Sequence, residues 1–355
     1  MSSLSVPTLR VASIPLRSCR GEAARNVARV GQWLERAARE SIGLVVFPEI
    51  CLAGYGSLAK LHRDELEALA EPLDGPSLRA VTRAVEQTGV AAGVGLIERA
   101  PDGRLFNSYV VCMPGGGRHY HRKLHAFEHR RVVSGDRFTV FDTVWRIRIG
   151  VLIGGDAYLV ENVRMTALLG ATLLVVPHRS YAVRPGGDMT LQPVSAEQWR
   201  KRDTAGEAAH IKGAGDKDSA IDWLRASLPA RAADNGMFVT LSNGIDMITT
   251  EAAEGAGMIV DPCGRVLAES ARTGACLSEE NDEINEEFEI LSAEIDPRLS
   301  DASAGRQWLK ARRPDLYAPL GQTDHAAANF EPRNVSARGS IAVSFAQVAR
   351  NRLPR

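Results

Sequence analysis

The sequence predicts an α/β fold, and three observations carry that expectation. Short apolar strands alternate with amphipathic helices along most of the chain. The apolar runs, such as Leu44-Val45-Val46-Phe47, are near-continuous, as strands buried on both faces must be. Turn residues separate them at short intervals, with no fixed internal repeat. Strand–helix alternation of this kind argues for a sheet covered by helices.

The elements follow in order. Leu9–Leu16 reads as a first strand. Gly21–Ser41 places Val27, Val30, Leu34, Ala37 and Ala38 at helical spacing, which predicts a helix with one buried stripe. Leu44–Phe47 is the next strand, and Val90–Ile97, Ser108–Met113 and Ile147–Ile153 follow. Asn162–Leu169 reads as a helix and Thr172–Val176 as a strand. Ser219–Asp234 is a further helix before the strand Met237–Leu241. Gly257–Val260 and Val266–Glu269 read as a hairpin across the turn Asp261-Pro262-Cys263-Gly264, so the sheets are not purely parallel. Arg179–Asp218 is rich in Gly, Pro and charge and reads as a long surface excursion. The expected division is one domain over residues 1–320 and a C-terminal tail over 321–355. The apolar patch Ile341–Val348 in that tail is either an assembly element or a frayed end.

Composition narrows the function. The chain has 355 residues, 45% hydrophobic and 24% charged, and Lys+Arg and Asp+Glu are both 43. With a formal net charge of +0 there is no basic field to attract nucleic acid or an anionic membrane. Five cysteines without C-x-x-C spacing fit neither a disulfide scaffold nor a zinc site, and no cofactor is implied. The N-terminal MSSLSVPTLR lacks the apolar stretch of a secretion signal, so the expected location is cytoplasmic. No apolar run approaches the roughly 18 residues of a membrane span.

Three segments carry candidate chemistry. Glu49 closes the apolar strand in Phe47-Pro48-Glu49, where α/β sheets bind ligands. Burial there would raise its pKa and suit it to general-base work; a capping or salt-bridged glutamate is the other reading. Lys123, in Arg122-Lys123-Leu124-His125-Ala126-Phe127-Glu128, could steady a developing oxyanion, or be a solvated strand end. His121, His125 and His129 recur every four residues, but that spacing binds metal only on a helix with a third ligand. Gly154-Gly155-Asp156, after a buried strand, is an anion-binding nest or a plain turn.

Together and in this order, these segments resemble the nitrilase (carbon–nitrogen hydrolase) superfamily, with wording closest to the bacterial nitrilases. The resemblance continues through Glu161–Arg164, Gly170–Pro177, Arg231–Gly236, Ser242–Gly244, Asp261–Gly264 and Arg312–Tyr317, and spans roughly Leu9 to Leu320. It implies a four-layer αββα sandwich that dimerises sandwich on sandwich, often into larger homo-oligomers or spirals. It also implies a Glu–Lys–Cys site in which a thiolate attacks a nitrile or amide carbon. Glu49 then matches the general base and Lys123 the lysine. Glu128 is the only carboxylate near the family's second glutamate, because Arg130 and Arg131 occupy that neighbourhood. Tyr55, Gly155, Asp156 and His178 match substrate-facing positions.

The resemblance breaks at Gly154, which stands at the nucleophile position, with Gly155 in place of an aromatic and Ala157 in place of asparagine. Glycine has no nucleophilic atom, and losing a nucleophile removes about a million-fold in rate, or roughly 8 kcal/mol. The Gly-Gly pair is also expected to open volume beside Glu49 and Lys123. Three functions follow. One is a non-catalytic binding protein for a small nitrile, amide or carboxylate-like ligand. Another is a hydrolase, hydratase or lyase using water or substrate activated by Glu49, with backbone N–H groups of Gly154 or Gly155 as oxyanion hole. The third is a structural subunit that co-assembles with an active nitrilase.

Overall fold

The computed structural model describes residues 8–179 apart from 55, 57 and 60, then 220–244, 256–270 and 290–321, with short strands at 182–183, 189–190, 194–195, 247–248 and 251–252. Its main elements are two mixed sheets. The first contains β1 (Leu9–Ser13), β2 (Leu44–Val46), β3 (Ala70–Glu71), β4 (Ala91–Arg99), β5 (Leu105–Cys112) and β6 (Arg118–Arg122). The second contains β7 (Val140–Asp142), β8 (Arg148–Val151), β9 (Leu173–Arg179), β10 (Phe238–Gly244), β11 (Ala256–Val260) and β12 (Val266–Glu269). A last strand, β13 (Leu291–Ile295), returns to the first sheet and pairs antiparallel with β1. The first sheet runs β13-β1-β2-β4-β5-β6, with β3 beside β4, and the second runs β12-β11-β10-β9-β8-β7. The strands β1, β2 and β4 are mutually parallel, as are β8, β9 and β10. Antiparallel strands flank both sets, including the expected hairpin of β11 and β12.

Alternation along the parallel strands builds three apolar layers. Val11, Leu44, Val46, Ile149, Val151, Leu173 and Val175 meet between the sheets. Their neighbours Ala12 and Val45 turn outward against Val30, Trp33, Leu34, Val81 and Val85 of α1 (Ala23–Arg39) and α3 (Pro76–Thr88), while the six-residue α2 (Arg63–Ala68) packs Leu66 with Ile50, Ile97 and Leu105. On the other side Leu174 and Val176 pack with Val163, Ala167, Leu224, Leu228 and Ala232 of α4 (Val160–Leu168) and α5 (Ala220–Asn235). Two short helices, α6 (Pro297–Ala302) and α7 (Ala304–Lys310), follow β13. Helices therefore cover both outer faces, which is the four-layer arrangement, and the near-continuous apolar runs are explained by burial on both sides. Tyr55 and the tail beyond 321 lie outside the described residues, as does most of the excursion after Arg179.

The turn that ends β2 is tightly held. Phe47 N donates to Gly93 O at 3.0 Å, Leu52 N to Gly95 O at 2.9 Å, and the buried Tyr109 hydroxyl to Phe47 O at 2.8 Å. Ile50, a buried β-branched residue, adopts φ +56, a conformation that costs such side chains on the order of 1–2 kcal/mol. Gly95 permits the close approach, because a Cβ there would lie 2.2 Å from Ile50 N and 2.9 Å from the Glu49 carbonyl carbon. Gly95→Ala is accordingly expected to destabilise the protein by about 3 kcal/mol in urea unfolding. A loss below about 0.5 kcal/mol would mean the turn is not held this way.

Candidate functional site

Glu49, Gly154 and His178 all lie at the carboxyl ends of parallel strands, β2, β8 and β9 respectively, which converge at one end of the sandwich. Lys123 follows β6 and is anchored through its backbone: its N–H donates to Asn107 O at 2.8 Å, and its carbonyl accepts from Gly135 N at 2.7 Å.

The centre is a buried charge network. Lys123 and Glu49 are 0% exposed and Glu128 only 4%. Lys123 Nζ donates to Glu49 Oε1 at 2.9 Å and also to Glu128 Oε1. Asn107 Nδ2 bridges the same two oxygens, at 2.7 Å and 2.9 Å. The solvated-lysine reading is thus excluded, while the salt-bridged reading of Glu49 holds. Glu128 joins the lysine despite the arginines that follow it, because the segment after Lys123 turns back on itself.

The expected rise in the Glu49 pKa is reversed. Burial does push it up, but the Lys123 ammonium, together with Arg179, outweighs that and holds the carboxyl at about 2. Glu49 is therefore an ionised acceptor across the physiological range.

His178 is buried and bonded on both ring nitrogens, Nδ1 to Asn243 Oδ1 at 2.9 Å and Nε2 to the Tyr158 hydroxyl at 3.1 Å. Burial lowers its pKa to about 4, against the opposing pull of Glu49. The ring is neutral at pH 7, with a donor on one side and an acceptor on the other.

Asp156, matched to a substrate-facing position, has both carboxylate oxygens engaged by the chain itself. They accept from Leu124 N and His125 N, each at 2.9 Å. This carboxylate ties the turn after Gly154 to the segment just past Lys123, so its role in the structure is to position those two.

Gly154 has φ +53, and a Cβ built there would lie 2.7 Å from Glu49 Oε2 and 3.0 Å from Lys123 Nζ. The expected opening of volume therefore fails at this point: the ends of Glu49 and Lys123 close on the place a side chain would take. At Gly155 a Cβ would lie 3.2 Å from the Phe127 ring, over which Lys123 Nζ sits at 4.5 Å.

Four residues were not legible as site residues. Asn107 looked like an ordinary strand position. Tyr158 and Asn243 show their role only through His178. Arg179, read as the start of a surface excursion, ends β9, is buried, and donates Nη1 to Gly56 O at 2.8 Å. The described cysteines pack elsewhere. Cys51 lies on Gly95 and Cys112 near Thr82, with burial pushing their thiols up to about 12 and about 11. Cys19 is capped by Asn26, and Cys263 is exposed in the hairpin turn. His121 and His129 have separate partners, Thr139 and Leu61 O, and no group of His, Cys, Asp and Glu suited to a metal occurs among the described residues.

Two mixed sheets between helices, with a buried Glu–Lys–Glu centre at the carboxyl ends of the strands, define a nitrilase-superfamily fold. The chain belongs to the Carbon-nitrogen hydrolase family, which matches residues 10–299. An (R)-stereoselective amidase of a Pseudomonas species is 29% identical over 324 residues, covering 89% of this chain and 95% of its own. The omega-amidase of Xenopus laevis is 27% identical, covering 82% and 91%. A nitrilase-superfamily amidase of Nesterenkonia superposes with a TM-score of 0.60 at 18% identity, covering 89% of this chain and 99% of its own. One structure of the Nesterenkonia amidase shows the acetamide moiety of fluoroacetamide covalently added at its active-site cysteine. A nitrilase of Pyrococcus abyssi is 30% identical over 160 residues, covering 44% of this chain and 59% of its own.

The sign of the pH dependence follows from His178. The unfolded chain takes up its proton near pH 6.5, but the folded protein resists until about pH 4. Stability is fully present above 6.5 and falls with pH through this window by about 1.4 kcal/mol per pH unit. Glu49 adds a loss in the same direction between 4.5 and about 2. Urea unfolding of His178→Gln between pH 7 and pH 4 should show a slope shallower by about one proton; an unchanged slope would show that His178 is not buried neutral.

Proposed function

We propose that this protein binds a small amide, or a nitrile or carboxylate of similar shape, without hydrolysing it through a thioester. The observation that carries this reading is Gly154. It lies within contact of Glu49 and Lys123, where the family wording places the attacking cysteine, and it offers no side-chain atom. The thiols of Cys51 and Cys112 are held protonated by burial. In this reading Glu49, held ionised, accepts from an amide N–H, and Lys123, which donates to Glu49, donates to a carbonyl oxygen. Similarity to amidases puts amides ahead of nitriles as ligands. Asp156 and Glu128 position the lysine in this reading.

The test pairs chemistry with turnover. Purified protein is treated with fluoroacetamide and mapped by peptide mass spectrometry, and ammonia release is followed over a panel of primary amides and nitriles. The unmodified protein is expected to carry no adduct on residues 150–158 and to release no ammonia above a Glu49→Gln control. Gly154→Cys is expected to gain the adduct, at a stability cost of about 1–2 kcal/mol for its left-handed backbone. Ammonia release by the unmodified protein that Glu49→Gln abolishes would overturn the proposal and establish direct activation of water by Glu49.

A further inference from the structure

A hydroxyl with a fixed hydrogen-bond sense lies next to Gly155. Tyr158 ends the short turn Gly154–Tyr158, and a Cβ on Gly155 would stand 3.2 Å from the Phe127 ring and 3.9 Å from Tyr158 Cδ2. Lys123 Nζ sits over that Phe127 ring at 4.5 Å. The Tyr158 ring is held edge-on by Trp223, with centroids 5.1 Å apart, and packs on the apolar layer beneath α4 and α5. Burial pushes the Tyr158 pKa up, while the charges of Lys123 and Glu49 act on it in opposite senses, so the hydroxyl keeps its proton.

Where that proton points is decided by two other side chains. Asn243 Oδ1 can only accept, so His178 Nδ1, 2.9 Å from it, carries the ring hydrogen. The neutral ring then has a bare lone pair on Nε2, and the Tyr158 hydroxyl, 3.1 Å away, donates its one proton there. Asn243 is fixed in turn by register, because it pairs with His178 across the parallel strands β9 and β10. A phenol whose proton is committed in this way offers a ligand only lone pairs. The chain Asn243–His178–Tyr158 therefore has one direction, and it presents an acceptor at its outer end.

A primary amide carries two N–H groups on one nitrogen, and Glu49 takes one of them in the amide-binding reading above. We propose that Tyr158 Oη accepts the other, which makes Tyr158 a specificity-determining residue that favours ligands with an –NH2 group over nitriles and esters. His178 and Asn243 are positioning residues that act through it. This rests on the amide-binding reading and adds what selects within it. Two acceptors aimed at one nitrogen are left unpaired by a ligand without N–H, and a buried acceptor left unpaired is what rejects that ligand.

The probes are propionamide and propionitrile, which share a three-carbon chain and differ in the –NH2 donors. Their affinities for the full-length protein are measured by calorimetry at pH 7, with propionamide expected to bind tighter. Tyr158→Phe keeps the ring and its contact with Trp223; it should weaken propionamide about fivefold and propionitrile by less than about twofold. His178→Leu should lower the preference in the parent protein but leave it unaltered in a Tyr158→Phe background. A loss in both backgrounds would show that His178 does not act through the phenol and would overturn the relay. No preference for propionamide in the parent, unchanged propionamide affinity in Tyr158→Phe, or equal weakening of both probes would overturn the role of Tyr158 while leaving an amide site. If propionitrile binds the parent too weakly to measure, the propionamide loss in Tyr158→Phe decides. Binding of neither probe would overturn this inference and the amide-binding reading together.

Discussion

Everything at the functional end of this molecule is arranged around one buried ammonium. Lys123 is wholly removed from solvent and lies between two carboxylates, Glu49 and Glu128. A lone buried charge of this kind is untenable, and each partner is stable there only because the others are present. The surrounding fold meets that demand from several directions. Asn107 donates to both carboxylates, Asp156 fastens the segment after the lysine, and Tyr109 and Gly95 fix the turn that delivers Glu49. The strain at Ile50 sits one residue from Glu49, where a backbone bend aims the carboxylate into the centre.

Much of this was readable from the sequence. The alternation of apolar runs with amphipathic helices gave the α/β class, and the near-continuous character of Leu44–Phe47 signalled burial on both faces. Glu49 was legible as the residue closing an apolar strand, and Lys123 through the resemblance to the family's lysine motif. What the sequence hid is tertiary in origin. Asn107 looks like one more position of a buried strand, and it takes the pairing of β5 with both β4 and β6 to bring it to Glu49 and Glu128. Arg179 opens a stretch rich in Gly, Pro and charge, so composition assigned it to the surface although it belongs to β9. The Glu49 pKa was misread because burial is legible in an apolar strand, whereas the compensating lysine comes from 74 residues further on.

Gly154 joins fold to function. It has no side chain of its own and lies beside the ends of Glu49 and Lys123. Its backbone is left-handed, and a Cβ there would lie 2.7 Å from Glu49 Oε2 and 3.0 Å from Lys123 Nζ. The neutral, doubly bonded His178 adds a fixed polar group at the same strand ends.

The account stands or falls on the mutual dependence of the buried charges, and a double-mutant cycle measures it directly. Unfolding free energies of the parent protein, Glu49→Gln, Lys123→Met and the double variant are obtained in urea at pH 7. A coupled buried pair predicts that the two single losses exceed the loss in the double variant by about 2 kcal/mol or more. Losses that add to within about 0.5 kcal/mol would show that Glu49 and Lys123 do not hold each other in place, and the charge-centred description of the site would be wrong.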